Sequence, residues 1–185
     1  MTRIIAGAAG SLTLGVPGAG TRPTSERVRE SLFGALDAAD AMTDAAVLDL
    51  YAGSGALGLE AVSRGAASAD LVERAPKAAQ VADRNAKAVA RSVPGARLTV
   101  HRAAVDAFLQ HGATMWDLVF IDPPYDLSDA ELGGTLALLL PRLTDDALVI
   151  LERSSRSPHP MLPAGMVVER SKSYGDTTLW WLGRE

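Results

Sequence analysis

A buried strand that ends at two prolines is predicted by the segment Trp116-Asp117-Leu118-Val119-Phe120-Ile121-Asp122-Pro123-Pro124-Tyr125. Its apolar centre is rich in β-branched and aromatic residues, which favours a buried strand. Prolines cannot donate to a sheet ladder and they fix the backbone angle φ, so the strand must end near Asp122. In open α/β sheets, ligands bind beyond the carboxyl ends of the strands. The segment therefore offers the Asp122 carboxylate, the Pro123 carbonyl and the Tyr125 ring to a ligand, and a planar base with an amino group fits that set.

Strands and helices alternate on both sides of this segment. Further strands are predicted at 46–51, 70–73, 98–101 and 147–152, and helices at 56–64, 76–92, 105–110 and 129–140. Such alternation predicts a mainly parallel sheet with helices on both faces. A terminal strand pair, 166–170 and 177–182, is expected to close the sheet.

The N-terminal region differs from this pattern. Two short strands, 3–7 and 12–16, predict a small hairpin. Thr24 is predicted to cap a following helix whose apolar residues Val28, Leu32 and Leu36 recur at helical spacing. Arg27 and Arg29 lie off that stripe, so we expect them to be exposed. Together with Arg22 they could grip phosphates.

Composition sets outer limits on the function. The 185 residues suffice for one domain with a substantial core, and the absence of cysteine excludes disulfides and thiolate metal sites. No segment predicts a signal peptide or a membrane span, so we expect a cytoplasmic protein. The net charge of −4 argues against a protein that simply coats nucleic acid. Residues 1–33 nevertheless carry four Arg and two Glu, and residues 153–174 carry three Arg, one Lys and one Glu, so two basic flanks surround an acidic centre.

A glycine-rich loop follows the strand at 46–51. Gly53-Ser54-Gly55-Ala56-Leu57-Gly58 has the glycine spacing of a dinucleotide-binding loop, and Glu73 lies where an acid could hold a ribose diol. Asp49, four residues before the first glycine, would repel a pyrophosphate but could accept hydrogen bonds from an ammonium group. This favours another adenosine cofactor over NAD. An NAD-binding enzyme stays a weaker alternative.

Four motifs together resemble one family. Asp49 to Gly55 looks like the first motif of Rossmann-like S-adenosylmethionine-dependent methyltransferases, and Asp122-Pro123-Pro124-Tyr125 looks like the catalytic tetrad of the branch that methylates exocyclic amino groups. The segment from Arg22 to Phe33 and the late Tyr174-Gly175-Asp176-Thr177 are similar to the RsmD-type 16S rRNA guanine-N2 methyltransferases.

This resemblance implies a fold and an activity. The fold would be a class I methyltransferase sheet of seven strands, mainly parallel with an antiparallel C-terminal strand. Residues 1–20 would form a hairpin extension and residues 21–185 the methyltransferase domain. The reaction would transfer a methyl group from S-adenosyl-L-methionine to N2 of a guanine, by family resemblance guanine 966 of 16S rRNA. The substrate would be a small-subunit ribosomal particle and the enzyme a monomer, with no metal and no membrane partner.

The resemblance also assigns residues. Asp122, Pro123 and Tyr125 would act on the guanine. The cofactor would be bound by Asp49, Tyr51, Gly53, Gly55, Glu73, Arg74, Ala104 and Asp122, and the RNA by Arg22, Thr24, Arg27, Arg29 and Tyr174. The chain departs from the family at Ala104, where an Asp or Asn commonly contacts the adenine amino group. A backbone carbonyl or amide is expected to replace that contact, and Asp106 is off register for it.

Two further functions use the same residues. The tetrad chemistry would also serve a DNA adenine-N6 or cytosine-N4 methyltransferase, although the chain has no spare hundred residues for a DNA target-recognition domain. A non-catalytic RNA-binding ribosome assembly factor could keep the fold, although it would not need Asp122 and Tyr125. Tyr174 could equally be a packing residue.

Overall fold

The computed structural model describes residues 1–18 and 25–185 of the chain. In these ranges the strands are β1 (Thr2–Arg3), β2 (Thr13–Leu14), β3 (Ala46–Leu50), β4 (Ser68–Val72), β5 (Arg97–His101), β6 (Trp116–Ile121), β7 (Leu143–Ser154), β8 (Met166–Tyr174) and β9 (Thr177–Arg184). The helices are α1 (Glu26–Ala38), α2 (Ala56–Ser63), α3 (Pro76–Ser92), α4 (Val105–Leu109) and α5 (Asp129–Leu139), and a short 3₁₀ turn (Leu140–Arg142) follows α5.

The seven longer strands form one sheet in the order β5-β4-β3-β6-β7-β9-β8. The pairs from β5 through to β7 are all parallel, and β9 runs antiparallel to both β7 and β8. This is a Rossmann-like sheet, mainly parallel with an antiparallel C-terminal strand, as the sequence predicted. The order reverses between β3 and β6, which is where a doubly wound sheet opens a crevice for a ligand.

Helices cover both faces of the sheet because its central strands are apolar on both sides. On one face, α1, α2 and α3 pack on Val47, Leu118 and Phe120. On the other, α4 and α5 pack on Leu48 and Val119. Successive strand residues point to opposite faces, which explains why Val119 and Phe120 belong to different cores. In the described part of the chain no helix is long and apolar enough to cross a membrane.

The N-terminal hairpin is shorter than the sequence predicted. The strands expected at 3–7 and 12–16 are only two residues each, Thr2–Arg3 and Thr13–Leu14. The reason is that residues of α2 accept hydrogen bonds from the backbone N–H groups that a longer hairpin ladder would need. The N–H groups of Ile5 and Ala6 donate to the Glu60 carboxylate at 2.7 and 3.0 Å, and that of Ala8 donates to the Ser63 carbonyl at 2.7 Å. The hairpin therefore shares a core with the rest of the domain.

Glu60 is the centre of that attachment. It is fully buried, and besides the two amides it accepts from the guanidinium groups of Arg29 at 3.3 Å and Arg64 at 2.7 Å. Arg29 also donates to the Thr2 hydroxyl and the Arg3 carbonyl. A buried charge is tolerable only when it is paired and hydrogen-bonded, and here one carboxylate joins the hairpin, α1 and α2.

Two expectations for α1 need correction. Its N-cap is Ser25, whose hydroxyl accepts from the Val28 amide, while Thr24, the predicted cap, lies outside the described residues. Arg29 is not exposed: only 3% of it is accessible, because the hairpin covers that side of α1. Helical spacing alone could not reveal this, since the covering segment comes from elsewhere in the chain.

Neutralising Glu60 should be costly. Glu60→Gln keeps an amide oxygen for the backbone but leaves Arg29 buried without the carboxylate with which it pairs, so we expect a loss of roughly 3–5 kcal/mol in the free energy of unfolding. Urea denaturation followed by circular dichroism measures it. Asp83→Asn is the matched control, because the Asp83–Lys87 pair is exposed and should contribute less than about 1 kcal/mol. Equal losses in the two variants would contradict a special role for Glu60.

Candidate active site

β3, β4 and β6 end at the same level on one edge of the sheet, and β7 passes this level and continues to Ser154. Leu50 of β3 is in register with Val72 of β4 and Ile121 of β6, and Ile121 is in register with Leu151 of β7. The residue after each of these four therefore lies in one row at the carboxyl edge. That row is Tyr51, Glu73, Asp122 and Glu152, and all four line the same cleft.

The cleft has a volume of about 1230 Å³, beyond the roughly 300–1000 Å³ of typical small-molecule sites, so a nucleoside-sized ligand would leave room for a second group. The glycine loop forms one side of the cleft and the tetrad another. The hairpin contributes too, through Met1, Thr2, Val16 and Pro17.

The glycine loop turns through backbone angles that favour glycine. Gly53 and Gly55 have positive φ angles of 55° and 78°, which a side chain would strain. The Gly55 amide donates to the Ala52 carbonyl at 2.7 Å and closes the turn. A Cβ on Gly53 would meet no neighbouring atom within 4 Å, so the backbone here is open to the cleft.

Asp49 is buried beneath this loop. Only 2% of it is accessible, and its carboxylate accepts from the Gly58 amide at 2.9 Å. Burial raises the pKa of Asp49 to about 7, and the negative charge of Glu73 adds to the rise while the Gly58 bond opposes it. A carboxyl group whose pKa is about 7 is suited to a cationic ligand group, because the positive charge of the ligand would favour the ionised form.

Glu73 connects two neighbouring loops. Its carboxylate accepts from the Gly53 amide at 3.0 Å and from the Ala75 amide at 2.7 Å. It is partly exposed to the cleft, and the adjoining Arg74 is exposed at the cleft's lining. Glu73 is thus held in place by the backbone of the loop it would serve.

The cleft also contains Ala104, the position at which the family resemblance led us to expect an Asp or Asn. Ala104 lines the cleft at the start of α4 and contributes no polar side chain. Asp106 also lines the cleft, and its carboxylate accepts from the Thr135 hydroxyl at 2.7 Å. Tyr51 stands nearby with a positive φ of 60°, and burial raises the pKa of its phenol. Its backbone is strained, as is common at functional sites.

The tetrad projects from the end of β6. Pro123 is buried, Asp122 is partly exposed, and Tyr125 is 77% accessible, so a large aromatic ring faces solvent at the mouth of the cleft. The loop beyond it is fixed by Arg153, which donates to the Leu127 carbonyl at 3.3 Å and to Asp129 at 2.8 Å. A single arginine from β7 therefore positions the segment that carries Tyr125.

The predicted RNA-contact residues do not form one cluster. Arg27 is exposed, whereas Arg29 is buried in the ion pair with Glu60, so the two are not an exposed phosphate-gripping pair. The Tyr174 hydroxyl hydrogen-bonds to the Ser31 hydroxyl at 2.7 Å, and its ring packs against the core between the sheet and helices α1, α2 and α3. Tyr174 is absent from the lining of the cleft. Arg22 and Thr24 lie outside the described residues.

Sequence reasoning missed two residues at the site. Asn85 of α3 donates to the Ser54 and Gly15 carbonyls at 2.9 Å each and so ties the glycine loop to the hairpin; no local pattern marks it. Glu152 is the second. It ends a strand that the sequence predicted, and an acid at the carboxyl end of a parallel strand was the signal that could have identified it.

Known proteins resemble the chain over its whole length. Residues 2–183 match the family described as conserved hypothetical protein 95. Ribosomal RNA small subunit methyltransferase D of Escherichia coli (strain K12) is 38% identical over 186 residues, which cover 99% of this chain and 90% of that protein.

Two solved structures align over the entire chain. The structure of yhhF from Escherichia coli has a TM-score of 0.83 and 38% identity, and the alignment covers 98% of that chain. A hypothetical protein from Thermus thermophilus also has a TM-score of 0.83, with 29% identity and full coverage of both chains. Both alignments therefore span the sheet and the N-terminal hairpin.

The raised pKa of Asp49 makes a prediction about pH. The pKa of Asp49 is higher in the folded state than the unfolded value of 3.8. The contribution of Asp49 to the free energy of unfolding is therefore fully present below about pH 4 and is lost as the pH rises through 7. Asp49→Asn removes the titration. At pH 8.5 the variant should therefore exceed the wild type in unfolding free energy by on the order of 3 kcal/mol, and at pH 4 it should not. Urea denaturation at both pH values tests this, and a difference that does not change with pH would contradict it.

Proposed function

The chain belongs to the conserved hypothetical protein 95 family, the RsmD-type methyltransferases, and we propose that it transfers a methyl group from S-adenosylmethionine to N2 of a guanine in 16S rRNA. The observation that carries the proposal is the pairing of β3 with β6, which brings the glycine loop and the Asp122-Pro123-Pro124-Tyr125 tetrad to one cleft. The named relative supports small-subunit rRNA as the substrate. Guanine 966 is the position that the family resemblance suggests.

The lining of the cleft fits this cofactor by its chemistry. Asp49 is a buried carboxylate suited to an ammonium group, and Glu73 is a fixed carboxylate suited to a ribose diol. The open backbone at Gly53 leaves space that a side chain would fill. When bound, S-adenosylmethionine would supply an electrophilic methyl group.

Asp122 and Pro123 prepare the amine. The lone pair of a guanine amino group is delocalised into the ring, so the nitrogen is a poor nucleophile. The Asp122 carboxylate and the Pro123 carbonyl would accept its two N–H bonds and draw the nitrogen towards tetrahedral geometry. These hydrogen bonds strengthen as the nitrogen becomes cationic, which stabilises the transition state more than the ground state. Asp122 can then accept the proton that the nitrogen loses.

Tyr125 holds the base. Its exposed ring provides a stacking surface, which contributes about 1–3 kcal/mol in comparable base–aromatic contacts. That offsets the few kcal/mol needed to take a base out of its stack. Arg153 fixes the loop, so the ring is positioned before the RNA arrives.

The chain has only 185 residues and a net charge of −4, so it would need help to select one guanine. We therefore propose a small-subunit particle as the substrate and a monomeric enzyme that works without metal. Equal rates on particles and on naked 16S rRNA would overturn the particle proposal.

The first experiment identifies the product. The wild-type protein, S-adenosylmethionine labelled on its methyl group, and small subunits from cells lacking the enzyme are incubated together, with genomic DNA in a parallel sample. Mass spectrometry of the nucleosides should find the label in N2-methylguanosine of 16S rRNA. Label in DNA would overturn the assignment, and so would stabilisation by NAD in place of S-adenosylmethionine.

Neutralising the tetrad carboxylate separates an enzyme from a binding factor. Asp122→Asn should lower the single-turnover methylation rate by roughly 10²–10⁴-fold, because it weakens the acceptor and removes the proton acceptor. Binding of the particle, measured by filter retention, should change little. A variant that methylates at the wild-type rate would contradict the role of Asp122.

Stacking by Tyr125 predicts a graded result. Tyr125→Phe keeps the flat ring, so its rate should stay within about threefold of the wild type, whereas Tyr125→Ala should lose roughly tenfold to a hundredfold. Unfolding should be alike in both, because the ring is exposed. If Phe and Ala have equal effects, the hydroxyl and not the ring face is what matters.

A further inference from the structure

Glu152 occupies a place that the proposed mechanism leaves without a role. It lines the large cleft together with Asp122 and Tyr125. It also lines a smaller cavity beside the tetrad, which Asp122, Pro123, Pro124 and Tyr125 line as well. Glu152 therefore lies where the two cavities meet, among the residues proposed to hold the reacting base.

The sheet places Glu152 beside Asp122. Ile121 and Leu151 are in register in the parallel pair of β6 and β7, so the next residues along, Asp122 and Glu152, are neighbours at the carboxyl edge. Adjacent strands lie about 4.8 Å apart. That spacing suits two acceptors that contact adjacent atoms on one edge of a planar base.

Hydrogen bonds hold the surroundings of Glu152. The Thr177 hydroxyl of β9 donates to its carboxylate at 3.4 Å, and the Ser155 amide donates to the Asp176 carbonyl at 2.9 Å. Glu152 itself belongs to the β7–β9 ladder, where it pairs with Leu179, a buried residue of the core beneath α1, α2 and α3. Its backbone is thus rigid, as a residue that discriminates between bases requires.

We infer that Glu152 selects guanine by accepting the hydrogen bond of the ring N1–H, next to the amino group that Asp122 holds; this inference rests on the proposed function. Guanine has a donor, N1–H, beside its amino group. Adenine and cytosine have a ring-nitrogen lone pair beside theirs, which the carboxylate repels. Proteins that extrude a base read it on this Watson–Crick edge. The hydroxyl of Ser157, in the same cavity, is available to donate to guanine O6.

The substrate that tests this is 2-aminopurine riboside, which keeps the 2-amino group but has a lone pair at N1. Small subunits are reconstituted with 16S rRNA that carries either guanosine or 2-aminopurine at the position the wild type methylates. The measured quantity is the ratio of single-turnover rates on the two substrates, since a purely structural role would lower both rates alike.

The variants differ in what they offer to N1. Glu152→Gln has almost the same shape but can donate to a lone pair, so the rate on guanosine should fall about tenfold to a hundredfold while the guanosine preference falls at least as much. Glu152→Asp keeps the carboxylate and should keep the preference even if its rates are lower. Asp145→Asn is the matched control, because Asp145 is exposed near the opposite end of the same strand.

The outcomes separate the two proposals. A preference unchanged in Glu152→Gln, or lost equally in Glu152→Asp, would overturn the role of Glu152 while N2-methylation by the wild type stands. Absence of N2-methylguanosine in the wild-type sample would overturn the proposed function and this inference together. Thermal stabilisation by S-adenosylhomocysteine, equal in wild type and both Glu152 variants, checks that the cofactor cleft is intact.

Discussion

The parallel pairing of β3 with β6 is the interaction on which the active site depends. It joins residues about seventy positions apart in sequence and places the end of the glycine-loop strand, Leu50, opposite the end of the tetrad strand, Ile121. The helices that cover both faces of these strands exclude water from the ladder and fix the register. A shift by one residue would turn Asp49 to the wrong face of the sheet and would separate the two motifs. The packing that fixes the register of β3 and β6 therefore also fixes the geometry of the site.

Acidic residues dominate the carboxyl edge that this pairing creates. Asp49, Glu73, Asp122 and Glu152 come from four parallel strands and line one cleft. Such an edge repels phosphates and favours amines, ammonium groups and sulfonium ions. The chain is acidic although a relative is an rRNA methyltransferase. Its negative charge suits the reacting groups of the proposed mechanism, and under that proposal contact with the RNA backbone would come from outside the cleft. Arg27 is an exposed cation outside the lining of the cleft.

The N-terminal hairpin belongs to the same arrangement. Its attachment through Glu60, Ser63 and Asn85 lets Met1, Thr2 and Val16 line the cleft. Burying the Glu60 carboxylate between two arginines costs desolvation free energy. Hydrogen bonds from two backbone amides to the same carboxylate offset that cost. Part of the cleft wall therefore relies on the Arg29–Glu60 ion pair, and Arg29, which the sequence predicted to bind phosphate, lines the cleft as part of that wall.

Hydrophobic runs, turn residues and the residues that begin and end helices are local features of the sequence. The sequence by itself therefore determined the alternating strands and helices and the parallel sheet. It also determined the strand ends at which Asp49, Glu73 and Asp122 lie. The prolines at 123 and 124 indicated the end of β6 for the same reason. The burial of Arg29, the two-residue strands of the hairpin, the part played by Asn85 and the adjacency of Glu152 to Asp122 were decided only by the tertiary structure. Each depends on which distant segment supplies a hydrogen-bond partner or a neighbouring strand, and no spacing within a single element encodes that choice.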